Sequence, residues 1–335
     1  MLKWRLMAST LSIPLMALVL AAAATLLPDN PYQRFQLLEG TIYNTTRWVY
    51  ERIHFDPTPI DVAIVGHSRT VVGLRPSRIE EKLAEAGKPA HVVNMSLIGA
   101  GRNSEWVYIE ELLKTKKPKV IIVAISEEPY PWGHDTFRYI APAADIWDEA
   151  FQGLHDAKKN LIYLPFRQIE LFAASLFPEE FHLPAKFDSV RYAATRYDYT
   201  TSHMSIDQGW IEMSKPVPRA TLIKQAREHR DSFEHRSKLP GVVRAITDAD
   251  DRVYVDKIVQ AAAKHGAKVL FVFIPAFDGP TEIKNRAFYE ERGAVDSGVE
   301  LRDRDTLYEN WSHLNSAGSV VESDRIAAKL VTLLP

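Results

Sequence analysis

The stretch Asp61-Val-Ala-Ile-Val-Gly-His-Ser68-Arg-Thr70 decides the fold that we expect for this chain. Its apolar run, Val62 to Val65, has no polar residue to face solvent, which is typical of a fully buried strand. Gly66 is expected to end the strand because glycine tolerates the backbone conformations that a sharp exit needs. Ser68 then stands at the carboxyl end of the strand, where open α/β sheets place their ligand sites. A Gly-x-Ser turn is also typical of an ordinary strand-to-helix loop.

Other apolar runs indicate a sheet around this first strand. The segments 91–94, 119–125 and 268–274 read as short buried strands, and segments with helical periodicity separate them. Continuous apolar strands that alternate with helices predict a mostly parallel central sheet covered on both faces. We therefore predict an α/β fold of three layers.

Composition excludes several classes of function. The chain has 335 residues and a net charge of -2, so it offers no overall basic character for a nucleic-acid partner. It contains no cysteine, which excludes disulfides, thiolate metal sites and cysteine nucleophiles. The Asp and His clusters lack the spacing of zinc ligands. We expect no metal and no cofactor.

The N-terminal segment predicts a membrane anchor. Lys3 and Arg5 precede an apolar run from Met7 to Leu27, about the length that crosses a bilayer as a helix. Basic residues before the run and none directly after it predict a cytoplasmic N-terminus and a periplasmic bulk. We predict a single-pass anchor over residues 1–28 in the inner membrane. Cleavage as a signal peptide near Ala21 to Ala24 is the alternative.

A juxtamembrane segment, residues 29–59, is expected to follow the anchor as a linker with one short amphipathic helix. Its apolar residues recur at helical spacing: Phe35, Leu38, Ile42 and Trp48. Prolines 57 and 59 close this segment and mark the start of the α/β domain.

The α/β domain is predicted in two parts, residues 60–130 and 241–335, separated by an insertion over residues 131–240. The insertion is rich in aromatic residues and proline, and it is too long for a simple loop of a compact domain. We expect it to form a lid subdomain, with an irregular stretch from Phe181 to Trp210. Within it, His134 and Asp135 are expected in a surface turn.

Three motifs, in this order along the chain, resemble those of the SGNH/GDSL hydrolase superfamily. Gly66-His-Ser68-Arg resembles the nucleophile block, in which a serine follows the first strand. Val92-Val-Asn94-Met-Ser-Leu-Ile-Gly99 resembles the second block, whose glycine lends a backbone N–H to the oxyanion. Asn310-Trp-Ser-His313 stands where the family has Asp-x-x-His. The resemblance covers residues 60–130 and 241–335 and implies a flavodoxin-like three-layer sandwich.

The resemblance implies acyl chemistry with Ser68 as nucleophile, His313 as base and Asn310 in the position of the acid. The hydroxyl of serine is a poor nucleophile until a base within hydrogen-bond reach removes its proton. We therefore expect Ser68 Oγ and His313 to lie within a few ångström at the carboxyl end of the sheet. Backbone N–H groups of Ser68 and Gly99 are expected to stabilise the oxyanion.

The chain departs from the family pattern after Ile125, where Ser126-Glu-Glu-Pro129 replaces a block that carries an oxyanion-binding asparagine. That donor is either missing or supplied by Asn94 or Asn103. We expect Asn103 and Arg69 to contact substrate. For Arg69 the alternative is a salt bridge that anchors its loop.

The second departure is Asn310, because an amide can orient a histidine but cannot balance the charge of an imidazolium. Glu309, Asp303 or Asp305 could supply the acid, or a Ser–His pair could suffice. The departure also leaves open that this chain is a catalytically inactive relative of the superfamily.

The predicted function is that of a membrane-anchored periplasmic enzyme that transfers or removes an O-acyl group on an envelope polysaccharide through acyl-Ser68. The resemblance implies a polysaccharide or acyl-donor substrate and a membrane-bound O-acyltransferase as partner. One alternative is an inactive glycan-binding or scaffold component of the same fold. Another is a secreted esterase or lipase, for which the lid would need an apolar groove.

Overall fold

A five-stranded parallel sheet forms the centre of the molecule. The computed structural model describes residues 2–99, 101–127, 132–154, 156–195, 197–198, 200, 202–205, 209–212, 216–237 and 248–335. Its strands are β1 (Val62–Val65), β2 (Val92–Asn94), β3 (Val120–Ile125), β4 (Ser202–Ser205), β5 (Gly209–Glu212), β6 (Lys268–Phe273) and β7 (Ala294–Ser297). The central sheet has the order β2-β1-β3-β6-β7, and every pairing in it is parallel. Strands β4 and β5 form a separate antiparallel pair.

Helices precede and follow most of these strands, as continuous apolar strands require. They are α1 (Leu2–Ala24), α2 (Pro31–Arg34), α3 (Thr45–His54), α4 (Ser68–Gly73), α5 (Pro76–Glu85), α6 (Arg102–Thr115), α7 (Phe137–Ile140), α8 (Ala143–Gln152), α9 (Ala157–Leu176), α10 (Ser189–Ala194), α11 (Arg219–Ser237), α12 (Ala249–Lys264), α13 (Arg286–Glu290) and α14 (Ser316–Leu333). Short 3₁₀ turns lie at Val299–Leu301 and Asp305–Leu307.

Alternate residues of the central strands pack into two separate cores. In β1, Ala63 and Val65 pack with the helices α3, α6 and α12, whereas Val62 and Ile64 pack with α5 and α14. This division follows from the period of two residues along a strand. Helices therefore cover both faces of the sheet, which is the three-layer α/β arrangement expected from the sequence.

The edge strand β7 was not predicted. Its residues Asp296 and Ser297 are polar, and all four of its residues are only half-buried. Edge strands are covered on fewer sides than central ones, so they lack the continuous apolar signal that marked the other strands.

The N-terminal region was expected to form an anchor followed by a linker, and the segment after α1 differs from that expectation. In the described part of the chain, no helix has both the length and the apolar character needed to cross a membrane. The segment 29–59 packs into the first core through Phe35 and Trp48 rather than forming a linker. The expected helical run is interrupted because Gly40 adopts a left-handed φ of +80° and turns carry the chain to α3.

The insertion contains more regular structure than its composition suggested. The stretch from Phe181 to Trp210, expected to be irregular, includes α10 and β4. Helix α11 returns to the α/β domain, where Leu222 and Ala226 are buried in the second core beside Phe277. As a result, α11 lies next to the loop that follows β6.

Candidate active site

The turn between β1 and α4 depends on the small size of Gly66. A Cβ at this position would lie 2.4 Å from the Ala124 Cβ and 2.4 Å from the Thr70 Oγ1. The residue has no left-handed φ. The expectation that Gly66 ends the strand was right, since β1 ends at Val65, but the glycine is needed for space between β1, β3 and α4 rather than for backbone freedom.

His67 caps the first turn of α4, and its ring stays neutral. Its Nδ1 accepts a hydrogen bond from the backbone N–H of Arg69 at 3.4 Å. Burial holds the pKa of His67 well below its usual value, and the positive charge of Arg69 lowers it further. The ring therefore stays neutral and serves the N-terminus of α4 as an acceptor.

Ser68 and His313, 245 positions apart in sequence, meet at the carboxyl end of the sheet. The His313 Nε2 lies 2.8 Å from the Ser68 Oγ, and the His313 Nδ1 lies 3.1 Å from the Asn310 Oδ1. All three side chains are half-buried. The structure thus brings together the nucleophile, the base and the residue in the acid position that the motifs suggested.

The hydrogen bonds of Asn310 determine the tautomer of His313. Its side-chain oxygen accepts the backbone N–H groups of Ser312 at 2.9 Å and His313 at 3.0 Å, which identifies that atom as the carbonyl oxygen. The same oxygen can only accept from the His313 Nδ1, so the proton lies on Nδ1. The Nε2 lone pair then faces the Ser68 hydroxyl, as a general base requires.

A tight turn ahead of α14 presents His313. Tyr308 and Leu314 form an antiparallel bridge, and the backbone N–H of Glu309 donates to the His313 carbonyl at 3.0 Å. Asn315 caps α14 by accepting from the backbone N–H of Gly318 at 2.9 Å. The turn is therefore fixed at both ends by backbone contacts.

Arg69 joins the turn between β1 and α4, which carries Ser68 and is called the nucleophile turn below, to two neighbouring strand ends and to the His313 loop. Its Nη1 donates to the Glu127 Oε1 at 2.6 Å and to the Ile274 carbonyl at 3.1 Å, and its Nε donates to the Ser312 Oγ at 3.3 Å. Arg69 and Glu127 are both buried. Of the two interpretations left open for Arg69, this geometry favours the anchoring one. Glu127, which the sequence did not single out, is the partner.

Asn94 and Asn103 were both candidate donors to the oxyanion. In the structure their side-chain amides donate to other groups of the fold. The Asn94 Nδ2 donates to the carbonyls of Thr70 at 2.8 Å and Leu74 at 3.0 Å, so both amide hydrogens hold the end of α4. The Asn103 Nδ2 donates to the Glu149 Oε1 at 3.1 Å, and Asn103 is fully buried. The structure brings neither amide to the Ser68 hydroxyl as a donor. The acidic and proline residues 128–129 of the third block lie outside the described residues.

His134 packs against the second block, residues 92–99. This role was not predicted, because His134 was expected in a surface turn and is in fact buried. Its Nδ1 accepts from the backbone N–H of Thr136 at 3.1 Å, so its Nε2 donates to the Ile98 carbonyl at 2.8 Å. Burial lowers its pKa, which keeps the ring neutral. A Cβ on Gly99, whose φ is +103°, would lie 2.8 Å from the His134 Nε2. Gly99 itself is exposed, as a backbone donor to substrate must be.

Two of the three carboxylates offered as alternative acids, Asp303 and Asp305, lie next to arginines. Asp305 lies 3.6 Å from Arg219, and Asp303 lies 3.2 Å from Arg302. The partner that the structure places on the His313 Nδ1 is Asn310. Among the described residues, no group of three or more His, Asp or Glu side chains is arranged to hold a metal ion.

A cavity of about 360 Å³ opens beside this site. Arg69 lines it, and so does Trp311, which lies on the His313 loop and stacks on His229 with ring centroids 3.8 Å apart. Further lining side chains come from α11 and from the loops after β3, β6 and β7, among them Glu127, Ala226, Arg230, Phe277, Asp278 and Arg302. This cavity was not predicted, since its walls come from segments distant along the chain.

No protein-family model and no curated protein sequence matches this chain. The likeness to the SGNH/GDSL superfamily therefore depends on the three motifs, and membership stays a prediction.

Proposed function

We propose that this protein is a serine acyl enzyme that transfers or removes an O-acyl group on an envelope polysaccharide. The observation that carries the proposal is the hydrogen-bonded series from Ser68 Oγ to His313 Nε2 and from His313 Nδ1 to Asn310 Oδ1. A serine hydroxyl beside an oriented imidazole is the arrangement that activates serine for attack on an ester.

The proposed reaction has two steps. The Ser68 Oγ attacks the ester carbonyl while its proton passes to the His313 Nε2, and the tetrahedral intermediate expels the alcohol, which takes that proton. The acyl group is then bound to Ser68. A glycan hydroxyl, or water, next gives its proton to His313 and attacks the acyl-Ser68 carbonyl. The intermediate expels the Ser68 Oγ, which takes that proton from His313, and the acylated glycan or the free acid is released.

The oxyanion of this intermediate needs hydrogen-bond donors that are fixed before the reaction. We assign this role to the backbone N–H groups of Ser68 and Gly99. The contacts of Gly66 with β3 and of His134 with the Gly99 loop support the assignment, because they leave each loop little freedom to move.

The cavity beside Arg69 is the proposed site for the glycan. The stacked rings of Trp311 and His229 offer an aromatic surface of the kind on which sugar rings pack. Arg230 and Arg302, which share the carboxylate of Asp278, supply donors for hydroxyl or carboxylate groups of a polysaccharide.

The setting that we propose is the inner membrane, with one N-terminal anchor over residues 1–28 and the bulk of the chain in the periplasm. Support comes from Lys3 and Arg5 before the apolar run. It also comes from the exposure of the apolar side chains of α1 at residues 13–20. In this setting a membrane-bound O-acyltransferase is the proposed partner and source of acyl groups.

A second candidate function is that of a catalytically weak or inactive scaffold that binds glycan. The amide of Asn310 favours it, because the imidazolium of His313 gains no negative charge from that side chain. In serine proteases the change from aspartate to asparagine lowers the rate by about 10⁴ and selects the wrong tautomer; Asn310 holds the right one here, so that figure is an upper bound.

The test of the enzyme proposal is the substitution Asn310→Asp. A carboxylate oxygen can accept the same three N–H groups as the amide oxygen, so the turn is retained while the imidazolium gains a counter-charge. We expect Ser68 to react faster with a fluorophosphonate probe and small acetyl esters to be hydrolysed faster. The gain is at most about 10⁴.

The control is Ser68→Ala in both backgrounds, which must abolish labelling because the probe reports the Ser68 hydroxyl. If the folded wild type and the folded Asn310→Asp protein both stay unlabelled, the enzyme proposal fails and the scaffold takes its place.

A further inference from the structure

Helix α9 has an exposed apolar stripe that the proposed function does not use. Its opposite face is buried against the domain through Leu164, Leu171 and Ala174. The outward stripe consists of Ile162, Phe166, Ile169 and Leu176, spaced four, three and seven residues apart, which places them on one side of a helix. A soluble helix would carry polar residues on that side.

The stripe lies where α1 joins the domain. The Gln168 Nε2 of α9 donates to the Leu27 carbonyl at 2.8 Å, and the Trp147 Nε1 of α8 lies 3.4 Å from the Thr25 Oγ1. The end of α1 is thereby fixed against α8 and α9. Most large apolar side chains that are exposed in the described part of the chain belong to α1 or to the region around α9.

We propose that the α9 stripe lies in the interfacial layer of a phospholipid bilayer, beside the point where α1 leaves it. This inference depends on the membrane-anchor part of the proposed function. An apolar patch of this extent on a single chain marks a protein or membrane contact. Between the two, lipid is favoured because α1 exposes apolar side chains at every position from 13 to 20, on all sides of the helix. A single protein groove would cover only one side.

The polar residues next to the stripe fit an interfacial position rather than a deeper one. Lys158 is exposed at the start of α9, and Glu170 and Ser175 are exposed beside the stripe. An amphipathic helix in the interface buries its apolar face about 5–10 Å into the boundary between headgroups and acyl chains and keeps such groups in water. Helix α9 would therefore lie along the membrane surface and fix the orientation of the domain.

The absence of cysteine from the natural sequence makes a spin-label test direct. Single cysteines are introduced as Phe166→Cys in the stripe, Leu18→Cys in α1 and Val190→Cys in α10. The Val190 side chain is the matched control, since it is apolar and 77% exposed, against 67% for Phe166, but lies outside the stripe. The full chain is labelled and reconstituted into vesicles of phosphatidylethanolamine and phosphatidylglycerol without other protein. Accessibility to oxygen and to a water-soluble nickel chelate is then measured.

We expect the label at position 166 to be more accessible to oxygen than to the nickel chelate, at a depth of about 5–10 Å, and the label at 190 to behave as in water. If position 18 lies in lipid and position 166 is as accessible to the chelate as 190, the anchor stands and this inference is wrong. If both 18 and 166 are in water, the anchor fails as well. A label at 166 shielded from both reagents would also overturn the inference, because it would place a second copy of the chain on the stripe.

Discussion

At the scale of single residues, the ion pair between Arg69 and Glu127 governs how the nucleophile turn sits against its neighbours. Both side chains are buried except where they line the cavity, so a charge left by removal of its partner can meet water only from that side. The same guanidinium reaches the Ser312 hydroxyl on the loop that carries His313. Stability and the alignment of Ser68 with His313 are therefore coupled through one side chain.

We predict that Glu127→Ala lowers the free energy of unfolding by about 3–5 kcal/mol, because it leaves the Arg69 charge buried without its carboxylate. Labelling of Ser68 by a fluorophosphonate should fall in protein that remains folded. Urea denaturation and the labelling rate are the measurements.

The matched control is the ion pair of Lys82 with Glu85, which has the same length of 2.6 Å but is exposed. Glu85→Ala should change the free energy of unfolding by no more than about 1 kcal/mol. Equal effects of the two substitutions would show that the buried pair has no special role.

At the scale of elements, the close approach of β1, β3 and α4 depends on Gly66. We predict that Gly66→Ala lowers the free energy of unfolding by about 1–3 kcal/mol, as other over-packed sites do. It should also slow Ser68 labelling, because the new Cβ would displace the Ala124 or Thr70 side chain against which the turn rests.

The control for this substitution is Gly87→Ala. Gly87 has a left-handed φ of +74°, and nothing lies within 4 Å of its would-be Cβ. Backbone strain of about 1–2 kcal/mol is then the sole expected effect, with labelling unchanged. Loss of labelling in the Gly87→Ala protein would contradict the view that space at Gly66 controls the site.

Helix α8 carries two aspartates whose pKa values move in opposite directions. Burial, with the nearby Glu110, raises the pKa of Asp145 to about 6, and its Oδ2 accepts from the Trp106 Nε1 of α6 at 3.2 Å. For Asp148, a hydrogen bond from Lys257 lowers the pKa. The two residues should therefore change stability with pH in opposite senses.

Because the folded-state pKa of Asp145 exceeds the unfolded value of 3.8, the folded state binds the proton more tightly. Stability from this residue is present below about pH 4 and is lost as the pH rises to about 6. We predict that Asp145→Asn raises the free energy of unfolding by at most about 3 kcal/mol at pH 7 and changes it little at pH 4. Denaturation at the two pH values is the measurement.

Asp148→Asn is the comparison on the same helix. Its lowered pKa means that the charged form stabilises the folded state near pH 7, so this substitution should destabilise there and lose its effect on acidification. Stabilisation by both substitutions at pH 7 would indicate general repulsion among acidic groups rather than the burial of Asp145.

The elements also show which features a sequence can reveal. Strands β1 and β3 were predicted almost to the residue, since a continuous apolar run is a local signal. The short polar strand β7 carries no such signal. In the site, Ser68 and His313 stood out by motif. Glu127 and His134 could not be assigned because their roles depend on contacts across 58 and 36 positions, with Arg69 and the Ile98 carbonyl respectively.

At the scale of the whole molecule, the proposed topology places the α/β domain outside the cytoplasm. We predict that alkaline phosphatase fused after Pro335 is active in a Gram-negative host, since that enzyme folds only where disulfides can form. The matched fusion, with Lys3 and Arg5 changed to Glu and basic residues placed after Leu27, should lose activity. An inactive wild-type fusion that is made at normal level would contradict the periplasmic assignment.

The position of His313 near the end of the chain also sets an order of events during synthesis. Ser68 leaves the ribosome 245 residues before the imidazole that lies beside it in the finished protein. The pair can form only after the segment through His313 has been made, and in the folded protein this segment leads into α14, which packs against α5. If the proposed function holds, a chain cut between the two residues would carry the Ser68 hydroxyl without its proposed base and would not react with esters.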